Sequence, residues 1–324
     1  MNVPDDYAYW IGPGEPLVDL KNGDWRLGPL VFYRRKNPDG LVPRIVDASD
    51  GSGEALRLAV RSGAYDGPLD VEADRANDRC ELREPAKSLL GAEIWYGFNI
   101  RIPADFPRKP LRFVVAQVKM PYDDEGNGSP AFSLRIDDGQ WVATVEHLYE
   151  EVDAKDHRFL STAVDGACGL PAAPAYDHHD FGPGGDRQVR AVLARDVAGL
   201  PEHLRRYECT LCTTGVKLAT FGRLPPADGR WSDFILRIAS SGVKDKDGVV
   251  ELYADRELVA RAEGELGFAR EDAPPQYPQY FKVGPYRNND PAWGRSTAAI
   301  ELRDLRRGPR REDVDPPRPA KAQA

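Results

Sequence analysis

The feature that most constrains this chain is its punctuation. The clusters NPDG, DASDGSG, DDEGNG and DDG, ending at Gly40, Gly53, Gly128 and Gly139, interrupt it at short intervals. Asn, Asp and Gly accept the left-handed backbone of tight turns, so each cluster marks a chain reversal. The runs between them alternate polar and apolar residues, the period of a strand with one buried face. ALRLAV (55–60), RCELRE (79–84), IWYGFNIRI (94–102), RFVVAQVKM (112–120), AFSLRID (131–137) and WVATVEHLY (141–149) all read as strands. No helical period of useful length occurs before residue 150. The 30 Gly and 28 Pro against 2 Met point the same way, towards many turns and few long helices.

Residues 1–25 read as an irregular lead-in with an early strand, and residues 150–215 change character. There PAAPAYDHHDFGPGGD is loop-like, and AVLARDVAGLPEHLRRYE suits a short helix or two. Residues 152–207 are therefore expected to form an insertion or lid. Strands resume at WSDFILRIA (231–239), VVELYADRELVARA (249–262), QYFKVGPY (279–286) and AAIELRDLRRG (298–308), with ADRE as a hairpin turn. The tail from Pro309 is charged and Pro-rich, so disorder is expected over 309–324. Residues 1–308 thus read as one all-β domain, a sandwich of two antiparallel sheets with one polar, groove-forming face and a loop/helix insertion.

A net charge of −8 argues against a nucleic-acid binder working through bulk charge, so an anionic ligand needs a local cluster of Lys and Arg. No apolar run is long enough to span a membrane. The start, MNVPDDYAYW, lacks a basic segment followed by an apolar core. Two locations are compatible with that: inside the cell, or secreted or periplasmic after removal of a leader. A monomer is expected. Of the four cysteines, Cys209 and Cys212 form a lone CxxC without the second pair that a zinc site needs. Disulfides or buried thiols are the expectation for Cys80, Cys168, Cys209 and Cys212.

Three strands carry an unusual polar face. Arg79, Glu81 and Arg83 alternate with Cys80 and Leu82; Gln117 and Lys119 alternate with Ala116 and Val118; Tyr280, Lys282 and Tyr286 alternate with Phe281, Val283 and Pro285. Each alone is compatible with the solvated side of a sheet. Together they form an anion-binding set with phenols. Arg287, Arg135 and Trp141 complete the expected substrate-binding set. Trp141 would stack on sugar and shares a strand face with His147. Trp95, Trp231 and Phe234 read as core.

These motifs resemble a known family. RCELR is similar to the R-x-E-L-R strand of alginate lyases of polysaccharide lyase family seven. QVK stands where those enzymes carry Q-I-H, and YFKVGPYRN is similar to their Y-F-K-A-G-x-Y segment. GRWSDFILRIASSGVKDKDGVVELYADRELVARAEGELGF and IWYGFNIRIPADFP resemble the heparin lyase I-like and glucuronan lyase-like group more closely. The resemblance implies a concanavalin A-like β-jelly roll with a concave groove that cleaves an anionic, uronate-containing polysaccharide by β-elimination. No cofactor is implied for the chemistry. A structural Ca²⁺ occurs in similar lyases, and Asp233, Asp255 and Asp304 are the candidates for it.

β-Elimination removes the C5 proton of a uronate and expels the O4 oxygen. The enolate-like charge must be met by donors on the carboxylate, and a base and an acid must move the proton. Gln117 suits the first role, shared with Arg83 or Arg79. Tyr286 is the expected acid, with Lys282 and Arg287 as electrostatic neighbours, and Glu81 holds Arg79 or Arg83. The base stays open. Either Lys119, in the position of the family's His, helps neutralise the carboxylate while Tyr286 moves both protons, or a histidine serves. His147 is then the first candidate, followed by His178 and His179 in the lid. A glycoside hydrolase on the same fold needs paired carboxylates flanking the bond, and no strand offers them. Lys119 in place of His also leaves open a glycan-binding module without catalysis.

Overall fold

A computed structural model describes residues 7–12, 14–33, 41–48, 50–61, 77–109, 113–120, 130–137, 139–149, 176–179, 187–195, 208–209, 216–241, 247–264, 266, 278–288 and 291–315. The strands in chain order begin with β1 (Tyr9–Ile11), β2 (Leu17–Asp19), β3 (Trp25–Leu27), β4 (Leu30–Phe32), β5 (Arg44–Asp47) and β6 (Glu54–Val60). Next come β7 (Asn77–Arg79), β8 (Leu82–Arg83), β9 (Ser88–Leu89), β10 (Ile94–Arg101), β11 (Phe113–Lys119), β12 (Pro130–Asp137) and β13 (Gln140–Tyr149). Then follow β14 (Tyr176–His179), β15 (Arg187–Arg195), β16 (Glu208–Cys209), β17 (Val216–Thr220) and β18 (Trp231–Ala239). The last are β19 (Gly248–Ala254), β20 (Glu257–Gly264), β21 (Pro278–Asn288) and β22 (Ala298–Gly308).

These strands form two sheets, and their pairings are antiparallel. The smaller has ten strands in the order β16-β17-β20-β19-β18-β10-β22-β6-β5, with β1 also on β22. The larger has twelve, in the order β14-β15-β13-β12-β11-β21-β8-β4-β3-β2, with β7 and β9 also on β21. This is the expected all-β jelly-roll sandwich.

The core follows from the alternation. In β11, Phe113, Val115, Ala116 and Val118 turn inward, and in β21 Phe281 and Val283 do the same. The two sheets meet through rings: Tyr96 of β10 stacks on Phe281 of β21 at 4.5 Å between centroids, and Trp141 of β13 meets Phe234 of β18 edge-on at 5.1 Å. Trp141 is 1% exposed, so the expectation that it stacks on sugar is corrected. Its strand face carries Ala143 and Val145 and is the core face. Phe234 is core as expected, whereas Trp95 joins a second small cluster with Ile235, Tyr253 and Val314. Trp231 is half-exposed, and its indole N–H donates to Asp50 at 2.9 Å.

Two further expectations change. Residues 187–195, part of which reads as helix, form β15 along the free side of β13, with Leu193 in the core. Ladder pairing with β13 overrides the helical preference of the AVLAR run. With β14 it extends the larger sheet, and the rest of 150–207 lies outside the described residues. The tail, expected to be disordered from Pro309, is folded as far as Asp315: a single 3-10 turn, Arg311–Asp313, brings Val314 to full burial. Gly97 permits this, because a Cβ there would lie 2.8 Å from the Val314 carbonyl oxygen. Residues 316–324 lie outside the described set.

At the centre of the larger sheet, Gly284 has a φ of 135°. A Cβ there would meet the Cys80 carbonyl oxygen at 2.1 Å. β7 and β8 keep one register along β21, so the connection between them runs close beside Gly284, and the Cys80 N–H donates to the Pro285 carbonyl at 2.8 Å. Cys80 itself is a buried thiol whose Sγ contacts the Leu41 carbonyl at 3.0 Å.

Two outcomes follow for stability. Trp141→Ala is expected to cost about 3–5 kcal/mol, read from the denaturant midpoint, since it empties a core site. A ring that served only as a sugar platform would leave that midpoint in place. Gly284→Ala is expected to cost about 3 kcal/mol or to abolish folding, because the backbone strain and the Cys80 clash add. A midpoint within experimental error of the parent would contradict the close approach.

Candidate active site

Directly opposed residues in adjacent antiparallel strands share a face and lie about one strand spacing, ~4.8 Å, apart. On the outer face of the larger sheet this builds transverse rows. In the longest, Arg83 of β8 stands opposite Lys282 of β21, Lys282 opposite Gln117 of β11, Gln117 opposite Ser133 of β12, and Ser133 opposite Thr144 of β13. A second row runs Arg79, Tyr286, Val114, Arg135. Lys119 stands opposite Tyr280. The fold thus gathers Arg79, Arg83, Gln117, Lys119, Arg135, Tyr280, Lys282 and Tyr286 onto one face.

Glu81 sits at the middle of this face. The Gln117 amide Nε2 donates to Glu81 Oε1, and Lys282 Nζ donates to Glu81 Oε2 at 3.2 Å. Glu81, expected to hold Arg79 or Arg83, thus also holds Gln117 and Lys282. The carboxylate is 4% exposed and Gln117 3%. A buried carboxylate requires such donors, and Lys282 supplies the compensating charge. One consequence is chemical: the acceptor fixes the Gln117 amide with nitrogen towards Glu81. Gly284 makes this possible, because Glu81 falls opposite it in the register of β7 and β8, and a Cβ at Gly284 would lie 2.9 Å from the Glu81 Cα.

The cation beside Tyr286 is Arg79, whose Cζ lies 4.7 Å from the ring centroid. Arg287 does not join the site. It is fully buried on the inner side, pairs with Asp78 at 2.6 Å and lies 4.8 Å from the Trp293 ring centroid. Its place in the sequence, one residue after Tyr286, puts it on the opposite face. The Lys282 expected beside Tyr286 is committed to Glu81.

His147 lies in β13 opposite Val189, and His178 and His179 lie in β14; all three side chains fall outside the described residues. The link between His147 and the groove rested on a face shared with Trp141, and that face is core. The side chain of Cys209 and the whole of Cys168 and Cys212 also lie outside the described residues.

Beneath the site, Glu84 is 3% exposed and collects donors from both sheets. The hydroxyls of Tyr9 and Tyr96 donate to it at 3.0 and 3.1 Å, the Phe281 N–H donates at 2.9 Å, and Arg307 Nε lies 3.3 Å away. Burial pushes the Glu84 carboxyl up, and Arg307 and the Phe281 N–H oppose that shift. The Glu84 N–H in turn donates to the Phe281 carbonyl at 3.0 Å. Glu84 therefore grips β21 between Tyr280 and Lys282.

Sequence reasoning missed Glu84, Tyr33, Lys87, Ser133 and Thr144. Ser133 and Thr144 were legible as the polar members of AFSLRID and WVATVEHLY. Of the three Ca²⁺ candidates, Asp233 pairs with Arg306 at 2.6 Å, Asp255 accepts the Asp233 N–H at 3.1 Å, and Asp304 accepts from Asn99 at 3.1 Å. Among the described residues no group of three or more His, Cys, Asp or Glu side chains is arranged to hold a metal.

Comparison with known proteins gives this face its context. The structure is similar to that of an endo-β-1,4-glucuronan lyase from the fungus Trichoderma reesei, with 15% identity, a TM-score of 0.53, and coverage of 94% of this chain and 97% of that one. It also matches the family 7 alginate lyase A1-II′ (16% identity, TM-score 0.42, 82% of each chain). A PL-14 alginate lyase from Aplysia kurodai matches with 9% identity and a TM-score of 0.43, over 92% of this chain and 97% of that one. No curated protein matches the sequence. A family profile described as polysaccharide lyase matches residues 36–302. With most of its length inside that profile, this chain belongs to the polysaccharide lyase family, and it is a polysaccharide lyase.

Proposed function

We propose that this lyase cleaves a glucuronate-containing polysaccharide by β-elimination on the outer face of the larger sheet. The reading is carried by one arrangement: a phenol beside a guanidinium, Tyr286 and Arg79, on the same face as an amide oriented by a buried carboxylate, Gln117 on Glu81. The substrate carboxylate lies on the second N–H of Gln117 and on Arg79. These donors draw off charge as the C5–H bond breaks. The Tyr286 oxygen takes the C5 proton. The C5–H electrons form the C4=C5 double bond, the C4–O4 bond breaks, and Tyr286 returns the proton to O4. Lys119 adds positive charge at the groove.

Stereochemistry supports the substrate. One side chain can move both protons only where the C5–H and O4 lie on the same face of the ring. Glucuronate and mannuronate meet that condition, whereas galacturonate and guluronate present the two on opposite faces. The glucuronan lyase that shares the fold is named for the first of these sugars.

The test is the absorbance of unsaturated uronate ends on a panel of glucuronate, mannuronate, guluronate and galacturonate polymers. A rise is expected with glucuronate polymers and none with the opposite-face sugars. Absence of a rise with every uronate polymer overturns the reading. Tyr286→Phe is expected to lower kcat by about 10²–10⁴ with oligomer binding within a few-fold of the parent. Turnover near the parent rate would remove Tyr286 from both proton transfers.

A further inference from the structure

We propose that Arg83 and Lys87, arranged around the rings of Tyr33 and Tyr280, form a second anion subsite that takes the carboxylate or sulfate of a neighbouring saccharide unit. This rests on the reading of the Gln117–Tyr286 centre as the place of bond cleavage. Arg83 Cζ lies 4.6 Å from the Tyr33 ring centroid and 5.6 Å from that of Tyr280. Lys87 Nζ lies 5.8 Å from the Tyr280 centroid. Both cations are half-buried, and Tyr280 is 7% exposed.

Their pairing sets them apart. Several buried cations elsewhere meet carboxylates, as Arg101 meets Glu301 at 2.7 Å, Arg306 meets Asp233 at 2.6 Å and Arg307 meets Glu84 at 3.3 Å. Among the described residues neither Arg83 nor Lys87 has a carboxylate partner, and the buried Nε of Arg83 has no hydrogen-bond partner. The nearby carboxylate, Glu81, is engaged by Lys282 and Gln117. Two aromatic faces hold the cations in place, because the ring quadrupole attracts them without neutralising them. A guanidinium over a tyrosine face keeps its N–H edge available, the geometry that grips an oxyanion with two hydrogen bonds.

The position selects a neighbouring sugar. Arg83 stands two strands from Gln117 along one row, so the two are roughly 10 Å apart at two strand spacings. That span exceeds one pyranose ring, so the anion here belongs to a different unit from the one that loses its C5 proton. The subsite therefore favours longer anionic chains and fixes their direction across the sheet.

The experiment compares kcat/KM on a short and a long glucuronate oligomer, and on a sulfated uronate oligomer of the long length, for the parent, Lys87→Ala and Lys87→Arg. The ratio of long to short is expected to fall about tenfold in Lys87→Ala, through KM, and to recover in Lys87→Arg. A larger loss on the sulfated oligomer assigns sulfate as the anion, and a larger loss on the unsulfated one assigns carboxylate. A ratio that stays constant, or an equal loss on both lengths, overturns the subsite while leaving the lyase reading intact. If the parent forms no unsaturated ends, the lyase reading fails separately. Calorimetric titration with the long oligomer then tests the subsite: a tenfold weaker Kd in Lys87→Ala supports it and an equal Kd refutes it.

Discussion

The buried carboxylate of Glu84 is the interaction on which the arrangement of this protein depends. It takes the Tyr9 hydroxyl from the N-terminal strand, the Tyr96 hydroxyl and Arg307 from the smaller sheet, and the Phe281 N–H from the central strand of the larger one. Taking a carboxylate out of water is costly, and the cost is offset only when its oxygens are filled by donors. Filling them here requires both sheets and the N-terminal strand to be in place together. Arg307 is anchored in turn by Ser88 at 2.5 Å, which extends the network to β9. The strand so held, β21, presents Tyr280 and Lys282 on either side of the clamped Phe281 and Tyr286 further along.

A second constraint acts on the other face of the same strand. Gly284 lets the β7–β8 connection run close beside β21, and that close approach places Glu81 in the middle of a sheet face that is otherwise cationic and phenolic. Glu81 then orients Gln117 and absorbs Lys282. A face with every cation exposed would repel itself. One carboxylate inside it leaves the phenol, the amide and the arginines ordered for an anionic chain. The lyase chemistry proposed here draws on this preorganisation, because donors already in place need no rearrangement as charge develops.

Much of this was legible in the sequence because strands announce themselves by alternation. The segments 94–102, 112–120, 131–137, 231–239 and 298–308 coincide with β10, β11, β12, β18 and β22 to within a residue or two. The polar faces of RCELR, VAQVK and YFKVGPY were legible for the same reason. Alternation failed where a strand was too short to show a period, as in β1 to β4, and where helix-favouring residues were recruited by an open edge, as in β15. It also misjudged what an inward position accepts. Arg287 lies on the apolar face of its strand, and only the presence of Asp78 and the Trp293 ring makes that tolerable.

By itself the sequence determined the period of each strand, hence which residues share a face, and the inventory of charge available to that face. Those properties are local, set by the pleat and by turn chemistry. Only the tertiary structure decided which strands lie side by side, and so which polar faces meet. It put Trp141 in the core, gave Tyr286 Arg79 as its neighbour, and made Glu81 the acceptor that orients Gln117. The reason is physical: which face is inside depends on the opposing sheet, and a partner for a charge comes from strands far apart in the chain.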